Sequence, residues 1–80
     1  MRITVHAAKR FLERVMNKSN YTVIDVDFTL RYLTKLFVDV VPGSRYRPII
    51  IPGFENFQAI YQENTIITIL PKGVKHFYKN

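Results

Sequence analysis

The sequence predicts an α+β domain in which two N-terminal helices pack on a three- to four-stranded antiparallel β-meander. Three observations carry this. Ala8, Phe11, Leu12 and Val15 stand at i, i+3, i+4 and i+7, the spacing of an apolar helical stripe. Leu30, Leu33, Phe37 and Val41 repeat helical spacing from Asp27 onward. Beyond Pro42-Gly43-Ser44 the pattern changes to short β-branched runs separated by turn residues. The length of 80 residues fits one domain, residues 1–80, with a small core.

In chain order, residues 1–5 read as a short strand or an extended lead-in to the first helix. That helix is expected from about His6 to about Asn17, with Asn17-Lys18-Ser19-Asn20 as its stop. The run Thr22 to Asp27 fits a strand by its alternation. It is read here as the start of a second helix capped by Asp25 or Asp27, whose carboxylate would satisfy free amides at the positive end of the dipole. Pro42-Gly43-Ser44 should end that helix. Arg45 to Ile51 reads as a strand that Pro48 places at an edge or a bulge. Pro52 to Asn56 forms a turn cluster, Phe57 to Gln62 a strand, Glu63-Asn64 a tight hairpin turn, and Thr65 to Leu70 a central strand. Pro71-Lys72-Gly73 turns again, and Val74 to Tyr78 makes a short last strand.

Composition narrows the function. Twelve Lys/Arg against six Asp/Glu give a net charge of +6 and a pI near 9.9, which favours a polyanionic partner over a merely solubilising surface. With no cysteine, neither a disulfide framework nor a cysteine-held metal is possible. There is no Gly-rich phosphate loop and no His-Glu-x-x-His, and the two histidines are far apart, so no metal and no cofactor are expected. No run of about 18 apolar residues suggests a membrane span, and the charged N-terminus does not resemble a signal peptide. A cytoplasmic location without a membrane partner is the expectation.

The candidate chemistry gathers on the polar side of the first helix, where His6, Arg10, Glu13, Arg14 and Asn17 stack one above another, with Lys9 beside them. A histidine exchanges protons at physiological pH. Arginines one and two turns away can hold a phosphate and stabilise charge on a phosphorane, and Glu13 can orient one of them. The plainer reading is a solvated helix whose charges form ordinary surface pairs. Arg45, Tyr46 and Arg47 interleave cations with a stacking ring, which suits single-stranded RNA, or equally a charged edge strand protected from aggregation. Thr68 stands between Ile66 and Leu70, expected on one sheet face, as a half-buried hydroxyl or as a donor beneath the first helix. His76 alternates with Val74 and Tyr78, and Lys72 and Lys75 add positive charge at the same end of the sheet.

The string His6-Ala7-Ala8-Lys9-Arg10-Phe11-Leu12-Glu13-Arg14 resembles the His-Ala-x-x-Arg-x-x-Glu-Arg motif of a family of small bacterial and phage domains. In that family the motif opens the first of two helices, and a meander ends in a strand similar to Thr65-Ile66-Ile67-Thr68-Ile69-Leu70. The family resembles the RelE-like and barnase–colicin group of small ribonuclease folds, many of them toxins of toxin–antitoxin pairs. This resemblance implies metal-independent RNA cleavage by transesterification in a bacterial cytoplasm, on free or ribosome-bound RNA. It implies His6 as acid or base, Arg10 and Arg14 as phosphate clamps and Thr68 as a supporting donor. Lys9, Arg45, Tyr46, Arg47, Lys72, Lys75 and His76 would bind the RNA, and an acidic antitoxin is the implied partner. The alternative is a non-catalytic phage or mobile-element protein that binds nucleic acid or a host protein through its basic face or edge strand.

Overall fold

The computed structural model describes residues 1–40 and 48–73. Its element order is β1 (Arg2–Ile3), α1 (Val5–Arg14), α2 (Val23–Leu36), β2 (Ile49–Ile51), β3 (Phe54–Gln62) and β4 (Thr65–Pro71). The architecture is α+β, with two helices packed on a four-stranded sheet. Among the described residues no helix is long and apolar enough to cross a membrane.

Helix α1 begins one residue earlier than the sequence suggests because Thr4 caps it, its hydroxyl accepting the Ala7 amide at 3.0 Å. It ends at Arg14, short of Asn17. Asn17 takes φ 53°, a left-handed conformation that asparagine tolerates. The chain folds back there so that the Lys18 amide reaches the Leu12 carbonyl at 2.9 Å, satisfying an end of the helix.

The second helix corrects the sequence expectation at both ends. Its N-cap is Thr22 rather than Asp25 or Asp27. The Thr22 hydroxyl accepts the Asp25 amide at 3.2 Å while the Asp25 carboxylate accepts the Thr22 amide at 2.9 Å. This reciprocal box satisfies two end donors at once, and it draws the β-branched residues Val23 and Ile24 into helix. At the other end α2 stops at Leu36, before the Pro-Gly signal. Phe37 leaves helical geometry at ψ 6°, and Val38 and Val40 close tight turns onto Lys35 and Phe37. Residues 42–44 lie outside the described residues.

The sheet order is β1-β4-β3-β2. β2, β3 and β4 form the antiparallel meander, but the fourth described strand is β1, paired parallel to β4 with Arg2 against Thr65 and Ile3 against Ile66. The pairing is therefore mixed rather than wholly antiparallel. The expected Val74–Tyr78 strand and the Arg45–Arg47 start of β2 lie outside the described residues. Among the described residues β2 lies at an edge of the sheet, the position that Pro48 suggested. Pro52-Gly53 alone makes the β2–β3 turn, with Gly53 at φ +83°, and the expected turn residues Phe54, Glu55 and Asn56 belong to β3. Phe54 is held there by packing, its ring edge-on to Phe11 at 5.4 Å. Glu63 and Asn64 have φ 51° and 61°, the pair of left-handed residues that a two-residue hairpin turn requires.

The main core joins Ala7 and Phe11 of α1, Leu33 of α2 and Phe37 just beyond it to Ile51, Ala59, Ile66 and Ile69 of the sheet. Ala8, Leu12 and Val26 form a second cluster between the helices. Ile66 and Ile69 share the helix-facing side although they are an odd number of residues apart. The cause is a bulge: Ile60 pairs with Thr68 but Tyr61 pairs with Ile66, leaving Ile67 as an extra residue in β4. Thr68, next to Ile69, therefore points to the opposite face, with its cross-strand partner Ile60. The sequence-based placement of Ile66, Thr68 and Leu70 on one face is corrected by that single extra residue.

Candidate functional site

The bulge also determines what α1 does to the sheet. Before it, the Asn64 and Ile66 carbonyls face β1 and accept the Arg2 and Thr4 amides at 3.0 and 3.1 Å. After it, the carbonyls of Ile67 and Ile69 turn to that side, where β1 has already ended. Side chains from the helix region take over. The Thr4 hydroxyl donates to the Ile67 carbonyl at 3.3 Å, and Arg14 Nη1 donates to the Ile69 carbonyl at 2.7 Å. The exposed flank of β4 is thus closed by the cap and the last residue of α1, which satisfies backbone groups that would otherwise template pairing with another chain. Replacing Arg14 with alanine is expected to cost about 1.5–3 kcal/mol, the range for a hydrogen bond to a charged group, and to raise aggregation on heating. Urea denaturation with light scattering measures both.

One turn before Arg14 a second network forms. Arg10 Nη1 meets Glu13 Oε1 at 2.5 Å, and the Tyr21 hydroxyl donates to Glu13 Oε2 at 2.5 Å. Tyr21 lies just before the Thr22 cap, so Glu13 ties α1 to the entrance of α2. The Tyr21 hydrogen bond, then the Arg10 hydrogen bond and the Arg10 and Arg14 charges, hold the Glu13 carboxyl below its ordinary value of 4.5 against the opposing effect of desolvation. The same hydrogen bond to the carboxylate raises the Tyr21 phenol above 10.0. Linkage gives the sign. A carboxylate lowered in the fold contributes stability that is fully present above pH 4.5 and is lost as pH falls through its folded value. Melting temperatures of the protein and of Glu13→Gln should therefore differ at pH 6 and converge as the solution is acidified.

These contacts place the sequence-derived candidates. His6 is exposed in the first turn of α1, with Arg10 one turn on and Lys9 exposed beside it. Arg10 is half-buried and oriented by Glu13, and Arg14 leans to the flank, where it serves the sheet. Thr68 is buried on the far face of β4 and does not join His6, Arg10 and Arg14. Lys72 is exposed just past β4, where its amide bonds the Asn56 carbonyl at 2.8 Å. Arg45, Tyr46, Arg47, Lys75 and His76 lie outside the described residues. Two contributors escaped the sequence reading. Thr4 could have been found as a hydroxyl immediately before the helical stripe, whereas no periodicity links Tyr21 to Glu13 across a loop.

The polar face of α1 thus offers a fixed guanidinium, a free ammonium and an exposed imidazole. It can receive an anion with several oxygens, and its one carboxylate is already neutralised by Arg10. Among the described residues no three His, Asp or Glu side chains gather as metal ligands. Comparison of the chain with protein-family models, with curated proteins and with solved structures found no match.

Proposed function

We propose that the protein binds the phosphate backbone of RNA through the polar face of α1, with His6, Lys9 and Arg10 as the contacts. The observation that supports this most is the orientation of Arg10. Its guanidinium is fixed by Glu13, which is itself fixed by Tyr21, and one Nη1 contact leaves further donors of the fork for phosphate oxygens. A pre-positioned arginine loses less freedom on binding than a mobile one. The net charge of +6 supplies the long-range attraction, and the resemblance to small ribonuclease folds favours RNA as the polyanion.

The exposure of His6 one turn from Arg10 favours a second reading, metal-independent cleavage. In that reaction the 2′-oxygen attacks phosphorus, a base takes its proton, and the P–O5′ bond breaks as an acid protonates the departing oxygen. His6 would fill one of these roles. Glu13 is poorly suited to the other, because the contacts that lower its proton affinity also make it a weak base.

Labelled single-stranded RNA incubated with the protein and with His6→Ala in EDTA separates the readings. The binding proposal expects salt-sensitive complexes with both proteins and intact RNA. Cleavage by the native protein alone, leaving 2′,3′-cyclic phosphate ends, would make it a ribonuclease with His6 in its site. A folded protein that neither binds nor cuts RNA at low salt would contradict both and turn the basic face toward an acidic protein, such as an antitoxin or a host target.

A further inference from the structure

Where the chain leaves α1, Asn17 and Lys18 line the mouth of a cleft of about 600 Å³ between α1, α2 and the start of β3. Its floor is Phe11, 2 % exposed, which meets Phe54 edge-on at 5.4 Å and Tyr32 tilted at 6.1 Å. Phe28 stands at the rim, 73 % exposed. The size is that of small-molecule sites, with room for a flat ring and the sugar that carries it. Aromatic walls alone would accept any apolar group. The polar atoms set among them narrow the choice.

Asp25 Oδ2 is engaged by the Thr22 amide at 2.9 Å and the Lys18 ammonium at 3.3 Å. Its Oδ1 has no partner among the described residues. The Thr22 amide, and then Lys18, hold the carboxyl below its ordinary value of 3.8 against desolvation, so at neutral pH it only accepts. Thr29, 7 % exposed, donates its hydroxyl proton to the Asp25 carbonyl at 2.7 Å and can only accept from a ligand. Asn17 and Lys18 supply donors at the mouth. A fitting ligand is therefore flat and apolar on its faces, with hydrogen-bond donors and acceptors along its edge.

We propose that the cleft holds one unstacked base of the bound RNA, a base with an exocyclic amino group. The proposal rests on RNA binding at the polar face of α1 and extends it. The base lies against Phe28 and Tyr32, its amino group donates to Asp25 Oδ1, and Asn17 donates to its acceptors. Cytosine and adenine present that amino group, whereas uracil would turn a carbonyl oxygen toward the carboxylate. Arg10 and Asn17 are seven residues apart, on the order of 10 Å at the helical rise, so neighbouring nucleotides of one strand cover both. A wholly apolar occupant would desolvate Asp25 Oδ1 without replacing its water. A cationic side chain of a partner protein would be repelled by Lys18 and by the net charge of +6.

Fluorescence anisotropy with strands of equal length tests the proposal, using oligocytidylate, oligouridylate and the same sugar–phosphate chain without bases. The native protein should bind the abasic strand about 5- to 150-fold more weakly than oligocytidylate, the worth of one base stacked on an aromatic ring. The salt slopes should be equal, because stacking releases no counterions. Phe28→Ala should lose a similar factor on oligocytidylate and none on the abasic strand, with the circular dichroism of the fold unchanged. Oligouridylate should bind at least about fivefold more weakly than oligocytidylate. Equal binding of oligocytidylate and the abasic strand, or indifference to Phe28→Ala, overturns the base site and leaves the phosphate contacts of α1 standing. Oligouridylate bound as tightly as oligocytidylate overturns the amino-group preference. A native protein that binds none of the strands overturns the base site and the phosphate contacts together.

Discussion

Replacing Leu33 with alanine is expected to lower the unfolding free energy by about 2–5 kcal/mol. Leu33 is wholly buried where α2 meets Ala7 and Phe11 of α1 and the Ile66 and Ile69 side of the sheet. Truncation removes apolar surface from the core and leaves a cavity that three elements line, none of which can collapse into it without breaking its own contacts. Small domains have about 5–15 kcal/mol in total, and an 80-residue chain without disulfides has few other means of holding its layers together. The loss should appear as a shifted urea midpoint with an unchanged slope. Val38→Ala is the control, since Val38 is 72 % exposed and its truncation should stay within about 0.5 kcal/mol. Equal losses at the two positions would mean that the helices do not share the core described.

The second large effect concerns RNA. Each cation that neutralises a phosphate releases counterions, so the logarithm of the binding constant falls with the logarithm of salt concentration by about 0.7 per contact on a single strand. Neutralising Lys9 and Arg10 together should flatten that slope by about 1.4 and weaken binding across sequences rather than at one base. Arg14 is a poorer probe despite its place in the motif. Its guanidinium closes the β4 flank, and its removal would confuse lost affinity with lost stability. Tyr21→Phe offers a subtler check. It keeps every cation but releases one side of Glu13, so it should weaken binding through a less ordered Arg10 and leave the salt slope unchanged.

Much of the fold was legible in the sequence because its signals are local. Ala8, Phe11 and Leu12 announced the buried side of α1, Glu63-Asn64 announced the hairpin, and the threonine-interrupted apolar run 65–70 announced a central strand. The errors came where two local signals competed or where the cause lay far away in sequence. Asp25 is a good capping residue, but Thr22 followed by Asp25 three positions later is better, because it satisfies two amides instead of one. The parallel pairing of β1 joins residues more than sixty positions apart, which no periodicity encodes. The bulge at Ile67 has no glycine to mark it, yet it sends Thr68 to the far face and turns two carbonyls toward Thr4 and Arg14.

The candidate site was legible as a face but not as an arrangement. Helical spacing was enough to bring His6, Arg10 and Glu13 together on α1. It could not reveal that Glu13 would be shared with Tyr21, or that Arg14 would be engaged by the sheet. Of the motif's charged residues, Glu13 and Arg14 hold the helix to the rest of the domain, and Arg10 is the one both oriented and open.

The measurement that bears most directly on the proposed function is the salt dependence of single-stranded RNA binding. It should compare the native protein, the Lys9→Gln/Arg10→Gln double variant, and Lys35→Gln, which removes an exposed cation from α2 instead. The expected result is a steep slope for the native protein and for Lys35→Gln, with a slope lower by about 1.4 for the double variant alone. Equal slopes for all three proteins would contradict the assignment, showing that RNA is held by charge spread over the whole surface and not by the polar face of α1.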